Sequence, residues 1–252
     1  MRIDRDQDLP EALIAALTSA DRVAVLTGAG VSAESGVPTF RDAQTGLWAR
    51  HDPMTLASPE GFSRQPDLVW DWYQHRRRLI AETAPNAGHH ALARLQKRFE
   101  QFTLITQNVD GFHQLAGSEP VLELHGNIQR TICSQTRQLI APDWLDQHSD
   151  QQPPPSPHHP EGLARPDVVW FGEMLDPETL DQAFAAAEHC DLMIVAGTSG
   201  LVHPAAGIPL LAVRAGKPMI DINPDRSELS GLADWHLAGP SAHWLPKLAS
   251  SL

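Results

Sequence analysis

The chain predicts an α/β protein: a doubly wound parallel sheet, Rossmann-like, with a smaller lobe built from two insertions. Three observations carry this. Four short, largely apolar runs, at 22–27, 102–106, 191–196 and 218–223, read as strands of a sheet covered on both faces. Two of them run straight into glycine turns, Gly28-Ala-Gly30 and Gly197-Thr-Ser199, of the kind that opens a helix in a βαβ unit. Helical stretches at 178–189 and 205–215 separate the later runs.

Taken in order, Leu9, Leu13, Ile14 and Leu17 have the spacing of an opening amphipathic helix over 9–19. The strand 22–27 follows. Residues 57–100 read as helices rich in Trp, Arg and His, outside the strand–helix alternation. The strand 102–106 ends in Gln107-Asn-Val-Asp110, and another predicted strand ends near His125-Gly126. Residues 146–160, DQHSDQQPPPSPHHP, read as an exposed polar loop. The remaining strands and helices complete one domain over 1–252, with the small lobe formed from about 44–100 and 127–164.

Composition narrows the function. In 252 residues, 19 Lys and Arg face 31 Asp and Glu, a net charge of −12, which disfavours sequence-independent nucleic-acid binding. The two cysteines, Cys133 and Cys190, exclude a disulfide framework and a four-cysteine zinc site. The N-terminus has no apolar core of signal-peptide length, and no run reaches the ~18 apolar residues of a spanning helix. The expectation is a cytoplasmic protein without nucleic-acid or membrane partners.

Three segments carry chemistry. In Thr27-Gly-Ala-Gly-Val-Ser-Ala-Glu-Ser-Gly-Val-Pro-Thr-Phe-Arg41, Gly28 and Gly30 let backbone amides approach a diphosphate, although a purely structural turn reads the same way. Ser32, Glu34 and Ser35 suit hydrogen bonding near a helix start, and Arg41 offers a fixed charge. Gln107, Asn108 and Asp110 lie just past a strand end, where open α/β sheets hold ligands, and could bind a ribose or an amide. His125 is a candidate general base toward a sugar hydroxyl, one of 13 histidines. Gly197-Thr-Ser199 repeats the glycine turn, and Asn223 closes the next strand within reach of a second ribose.

The segments GAGVSAESGVPTFR, TQNVDGFH, ELHG, RPDVVWFGE (165–173), GTSGLVHPA and Ile222-Asn223 occur in this order. Together they resemble the sirtuins, NAD-dependent protein-lysine deacylases, over roughly residues 20–246. The resemblance implies an NAD site lined by Gly28, Ala29, Gly30, Ser32, Glu34, Phe40, Arg41, Gln107, Asn108, Asp110, Gly197, Thr198, Ser199, Asn223, Pro224 and Ser241. It makes His125 the catalytic base, with Asn108 and Asp110 ordering the nicotinamide end. It gives the strand-like segment 168–173, with Val169, Trp170, Phe171, Gly172 and Glu173, the task of holding a peptide by backbone pairing. The products would be nicotinamide, O-acyl-ADP-ribose and free lysine. The implied partner is an acylated lysine side chain, and the implied state a monomer.

Tyr73 and Arg76, three apart on one helix face, are similar to the Tyr-x-x-Arg pair of the sirtuin subgroup that removes succinyl and malonyl groups. Ala33 stands where that subgroup has a small residue. Arg76 would clamp the acyl carboxylate and Tyr73 would donate a hydrogen bond. The alternative places Arg76, Arg77 and Arg78 on a solvated basic face.

One departure stands out. Most sirtuins hold a structural zinc with two cysteine pairs in the small lobe. Here the first pair reads Cys133-Ser-Gln-Thr136, and PSPHHP, where the second should fall, has no cysteine. Rescue by Cys133 with His148, His158 or His159 matches no ligand spacing, so no metal is expected. Two competing readings of the whole chain are an NAD glycohydrolase or ADP-ribosyltransferase, and a non-catalytic sensor of NAD or O-acyl-ADP-ribose.

Overall fold

The structure is a computed structural model describing residues 1–37 and 51–252. In chain order its strands are β1 Arg2–Asp4, β2 Arg22–Thr27, β3 Gln101–Thr106, β4 Val121–Glu123, β5 Gly126–Cys133, β6 Ala164–Val168, β7 Leu192–Ala196, β8 Met219–Asn223 and β9 Trp235–Ala238. Seven of them form one parallel sheet in the order β1-β9-β8-β7-β2-β3-β4, while β5 and β6 pair antiparallel in a separate ribbon. The order runs outward in opposite directions from β2 and β7. That is the switch point at which such sheets open a crevice beyond their strand ends.

Side-chain alternation along β2 explains why helices cover both faces. Val23 and Val25 join one core with Leu13 and Leu17 of α1 (Glu11–Ser19), Leu92 and Leu95 of α6 (Ala87–Gln96), and Trp244, Leu245 and Leu248 of α11 (Ser241–Ser250). Ala24 and Leu26 join the other core, with Ala183 and Ala187 of α9 (Pro177–His189) and Ile208 and Ala212 of α10 (Gly207–Arg214). A strand stretch buried on both faces needs consecutive apolar residues, and β2 supplies them from Val23 to Leu26.

The small lobe packs separately. Its helices are α3 (Pro53–Leu56), α4 (Pro59–Arg64), α5 (Pro66–Ala81) and α8 (Pro142–Gln147), each with proline in its first turn, where no amide partner is lost. Asp52 and Ser58 cap α3 and α4 by accepting from Met54 N and Gly61 N. Trp72 and Tyr73 of α5 pack with Phe62, Ile128, Val168 and Trp170, which fastens α5 to the β5–β6 ribbon. Arg77 adds a polar tie, donating to the carbonyls of Ile128 at 2.6 Å and Arg130 at 2.9 Å. Between β3 and β4 lies the single turn α7 (Phe112–Leu115), and α2 (Gly30–Ala33) follows β2.

Several expectations shift. The first insertion does not reach residue 100, because α6 packs on α11 and into the main core. The start of that insertion near residue 44 lies outside the described residues. The 146–160 loop is irregular but not wholly exposed. Pro153, Pro154 and Ser156 are buried, and Pro155 O accepts from Trp144 Nε1 at 2.9 Å. The strand expected to continue to residue 173 stops at Val168. β1 and β9 are additions, too short to show a period in the sequence. Among the described residues no helix is long and apolar enough to cross a membrane.

Candidate active site

At the switch point the two glycine turns interlock. Gly28 N donates to Ala196 O at 3.0 Å, Gly30 N to Gly197 O at 2.8 Å, and Gly197 N to Ile222 O at 2.9 Å. A Cβ on Gly30 would stand 2.7 Å from Gly197 Cα, and one on Gly197, whose φ is +63°, would stand 2.4 Å from Val31 N. The glycines are therefore required for contact between turns. This narrows one expectation: within the GAG turn the amides of Gly28 and Gly30 bond to the neighbouring strand and turn. Among the described residues the amides of Ala29, Thr198 and Ser199 have no protein partner, and Ala29 and Ser199 are exposed. Those amides fit a phosphate.

Beneath the turns lies a buried polar network. Ser32 Oγ donates to Asp110 Oδ2 at 2.7 Å and accepts from Asn108 Nδ2 at 3.1 Å. Asp110 Oδ1 accepts from Phe112 N at 2.9 Å. Burial raises the Asp110 carboxyl above its ordinary range, opposed by these two hydrogen bonds and the charge of Arg76. His89 Nδ1 accepts from Asn86 N, which leaves Nε2 protonated and facing Ser32 Oγ at 3.3 Å. His113 Nε2 meets Thr27 Oγ1 at 2.9 Å, and Thr27 Oγ1 bonds Thr106 Oγ1, which accepts from Asn108 N. Burial holds His89 down to about 4 and His113 down to about 3, so both are neutral near pH 7. The sequence reading missed Thr27, His89, Thr106 and His113. Thr27 opens the first of the chemistry-bearing segments, and Thr106 and His113 open and close TQNVDGFH, so these three could have been flagged; His89 had no such signal.

His125 follows β4 and turns its ring toward the same crevice. Its Nδ1 bonds the carbonyl of Gln107 at 3.0 Å. A carbonyl only accepts, so Nδ1 carries the hydrogen and Nε2 presents a lone pair. Burial lowers the His125 pKa below its ordinary value, partly offset by that carbonyl. Gln107 Nε2 donates to Thr198 Oγ1 at 2.9 Å, joining the loops after β3 and β7. Asn223 donates to Thr198 O at 3.3 Å and to Asp221 Oδ1 at 2.6 Å. Its amide thus braces the second glycine turn. The wholly buried Asp221 also accepts from Ser227 and Ser230.

The third wall comes from α5 and the residues after β6. Arg76 is half-buried, with its guanidinium carbon 6.0 Å from the Tyr73 ring centroid. Burial lowers the Arg76 pKa, against the opposing pull of Tyr73 and Asp110. The three consecutive arginines do not form one solvated face, since Arg77 is tied to β5 and Arg78 alone is exposed. Tyr73 is buried, and its oxygen accepts from Trp170 Nε1 at 2.9 Å.

The peptide-pairing expectation for residues 168–173 needs correcting. Val169 N donates to His125 O, Phe171 N to Ala57 O, and Trp170 N to Glu173 Oε2 at 2.8 Å. Glu173 N returns to Trp170 O, and Gly172 sits at φ +88°. The segment is a tight turn whose amides at 169, 170, 171 and 173 are already engaged, not a free strand edge. Trp170 and Glu173 face inward, with Glu173 gripping Arg165 through both oxygens at 2.7 and 2.9 Å. Phe171 and Gly172 are exposed.

Of the other expected residues, Thr198 is buried at the turn, Pro224 is exposed beyond Asn223, and Ser241 is buried at the start of α11. Glu34 is exposed outside the network, and its charge acts on His243 of α11. Phe40 and Arg41 lie outside the described residues.

The small lobe does not gather a zinc ligand set. Cys133, Ser156 and His159 meet around Gly162. Burial raises the Cys133 thiol's pKa, but its polar neighbours Ser156 and Thr136 outweigh that and leave it lowered. One thiol, one imidazole and two hydroxyls are not the four N/S donors that tetrahedral zinc takes. His158 bonds Leu139 O at 2.8 Å, and His148 stacks on Trp144 with centroids 4.1 Å apart. Among the described residues no three His, Cys, Asp or Glu side chains converge as metal ligands.

The sequence pattern of the Sir2 family matches residues 28–204. The chain is 46% identical over 226 residues to the NAD-dependent protein deacylase of Aeropyrum pernix, an alignment covering 90% of each. A solved Sir2 homolog–NAD complex superposes with a TM-score of 0.87 at 40% identity, covering 97% of this chain and 94% of that one. A Sir2–p53 peptide–NAD+ complex gives 0.83 at 27% identity, covering 95% and 97%.

Proposed function

This chain belongs to the Sir2 family, and we propose that it is an NAD-dependent protein-lysine deacylase that prefers acyl groups ending in a carboxylate. The observation that carries the acyl preference is the half-buried guanidinium of Arg76, 6.0 Å from the ring of the buried Tyr73. An acetyl group has nothing to pair with such a cation. A succinyl or malonyl group brings a carboxylate, and hydrogen bonds to charged groups contribute about 1.5–3 kcal/mol each.

The residues present fit NAD. The amides of Ala29, Thr198 and Ser199 suit its diphosphate, and the Ser32–Asn108–Asp110 network offers a preset polar end for its nicotinamide amide. When bound, NAD supplies an electrophilic ribose carbon with a leaving group. His125 takes a proton at Nε2 from a ribose hydroxyl, because the Gln107 carbonyl fixes the opposite tautomer. Burial keeps that imidazole neutral at physiological pH. Arg76 and Tyr73 orient the far end of the acyl chain. We further propose that the small lobe is metal-free and held by packing of Trp70, Cys133, Ile140 and Ala164.

The test is incubation with NAD and matched acetyl-, malonyl- and succinyl-lysine peptides, with products read by mass spectrometry. Faster release of the acidic groups, with acyl-ADP-ribose formed, is expected. In Arg76→Met the succinyl-to-acetyl ratio of kcat/KM should fall by about 10- to 100-fold, the factor that one charge-assisted bond represents. Acetyl preference in the unaltered protein overturns the acyl reading. NAD cleavage without peptide, or no turnover, overturns the deacylase reading.

A further inference from the structure

Tyr73 is 1% exposed, and its phenol oxygen accepts a hydrogen from Trp170 Nε1 at 2.9 Å. The oxygen's role toward Trp170 is fixed, because an indole nitrogen can only donate. The phenol's own hydrogen is thereby directed elsewhere, and among the described residues it has no acceptor. A buried donor without an acceptor costs about 1–3 kcal/mol, so the arrangement is stable only if something else compensates or a ligand accepts that hydrogen. Arg76 stands on the same helix face. A carboxylate placed between the two would receive both a charge and the phenol hydrogen.

Trp170 is itself held. The Arg165 guanidinium stacks on its ring, 3.3 Å from the centroid, and Arg165 is only 4% exposed. Glu173 grips that guanidinium bidentately and also accepts from Trp170 N at 2.8 Å. The cation over the indole face draws electron density from the ring and makes its N–H a stronger donor. The turn after β6 therefore ends in an oriented, polarised N–H aimed at one phenol oxygen.

We propose that Trp170, held by Arg165 and Glu173, is a positioning residue for acyl selectivity: it fixes Tyr73 as a hydrogen-bond donor toward a carboxylate-tipped acyl group. The role presupposes the acidic-acyl preference proposed above. Trp170 need not touch the substrate, because it acts through Tyr73.

The experiment is a double-mutant cycle of Trp170→Phe and Tyr73→Phe, with separate kcat and KM for succinyl- and acetyl-lysine peptides. In Trp170→Phe the succinyl-to-acetyl ratio of kcat/KM should fall about tenfold, mainly through a higher KM for the succinyl peptide. Adding Trp170→Phe to Tyr73→Phe should leave that ratio where Tyr73→Phe alone put it. Equal losses on both peptides, or additive effects of the two changes, overturn the proposal. If Trp170→Phe does not fold, the benzothienyl isostere of tryptophan at position 170 keeps the shape but lacks the N–H, and should give the same tenfold fall. A preference intact in either variant removes the role of Trp170 alone. No preference in the unaltered protein removes the underlying acyl reading.

Discussion

His125 is held through Nδ1 by the backbone carbonyl of Gln107 at 3.0 Å, and the same Gln107 reaches across to Thr198 Oγ1 at 2.9 Å. The imidazole is thus oriented by the loop that also spans the strand-order switch. Its tautomer is set by backbone rather than by a titrating partner.

The first prediction concerns pH and rate. Burial lowers the His125 pKa, so its neutral, basic form persists below the ordinary ~6.5. The acid limb of kcat/KM should therefore fall below pH 6.5, with full activity at pH 7. His125→Ala should abolish turnover while NAD binding, followed calorimetrically, is largely kept. A limb centred above pH 7 would contradict the buried-base assignment.

Acid should also destabilise the fold through the buried pair. His89 and His113 titrate near 4 and 3 when folded but near 6.5 when unfolded. The unfolded chain then binds more protons throughout that window, so stability is full above pH 6.5 and is lost as pH falls toward 4. Together they make stability drop by about 2–3 kcal/mol per pH unit between roughly pH 6 and 4. Urea unfolding should show this slope reduced by about one proton, near 1.4 kcal/mol per unit, in His113→Asn. Asp110, whose carboxyl is raised by burial, acts in the opposite direction.

Gly30→Ala tests the interlock of the two turns. Its Cβ would press on backbone at 2.7 Å from Gly197 Cα, which no rotamer change relieves. Overpacking of this kind costs about 1–3 kcal/mol, or a Tm roughly 2–12 °C lower for a chain of this size. The KM for NAD should rise alongside. A variant as stable as the parent would mean that the turns can separate.

Metal analysis and chelation test the small lobe. Zinc should be well below one ion per chain, and a strong chelator should leave Tm unchanged. One tightly held zinc per chain would sink the account of Cys133 as a packed residue of the small lobe's core.

Local signals made most of the sheet legible. β2, β3, β7 and β8 are continuous apolar runs, and the glycine turns after β2 and β7 mark where the strands end. Such features depend on neighbours in sequence, so Gly28, Gly30, Gly197 and His125 could be named without coordinates. β1 and β9 gave no such signal, because three or four residues hold no period, and β1 joins the sheet only through β9 from the far end of the chain.

What the sequence determined by itself is the alternating α/β plan and the strand-end positions of the residues singled out. What only the tertiary structure decided is which groups are already engaged. Gly28 and Gly30 amides bond to the neighbouring strand and turn, Glu173 grips Arg165, and Trp170 donates to Tyr73 from 97 residues away. The physical reason is that hydrogen bonding is exclusive. A backbone or indole N–H has one hydrogen to give, and its partner is settled by long-range packing that residue type and spacing do not encode.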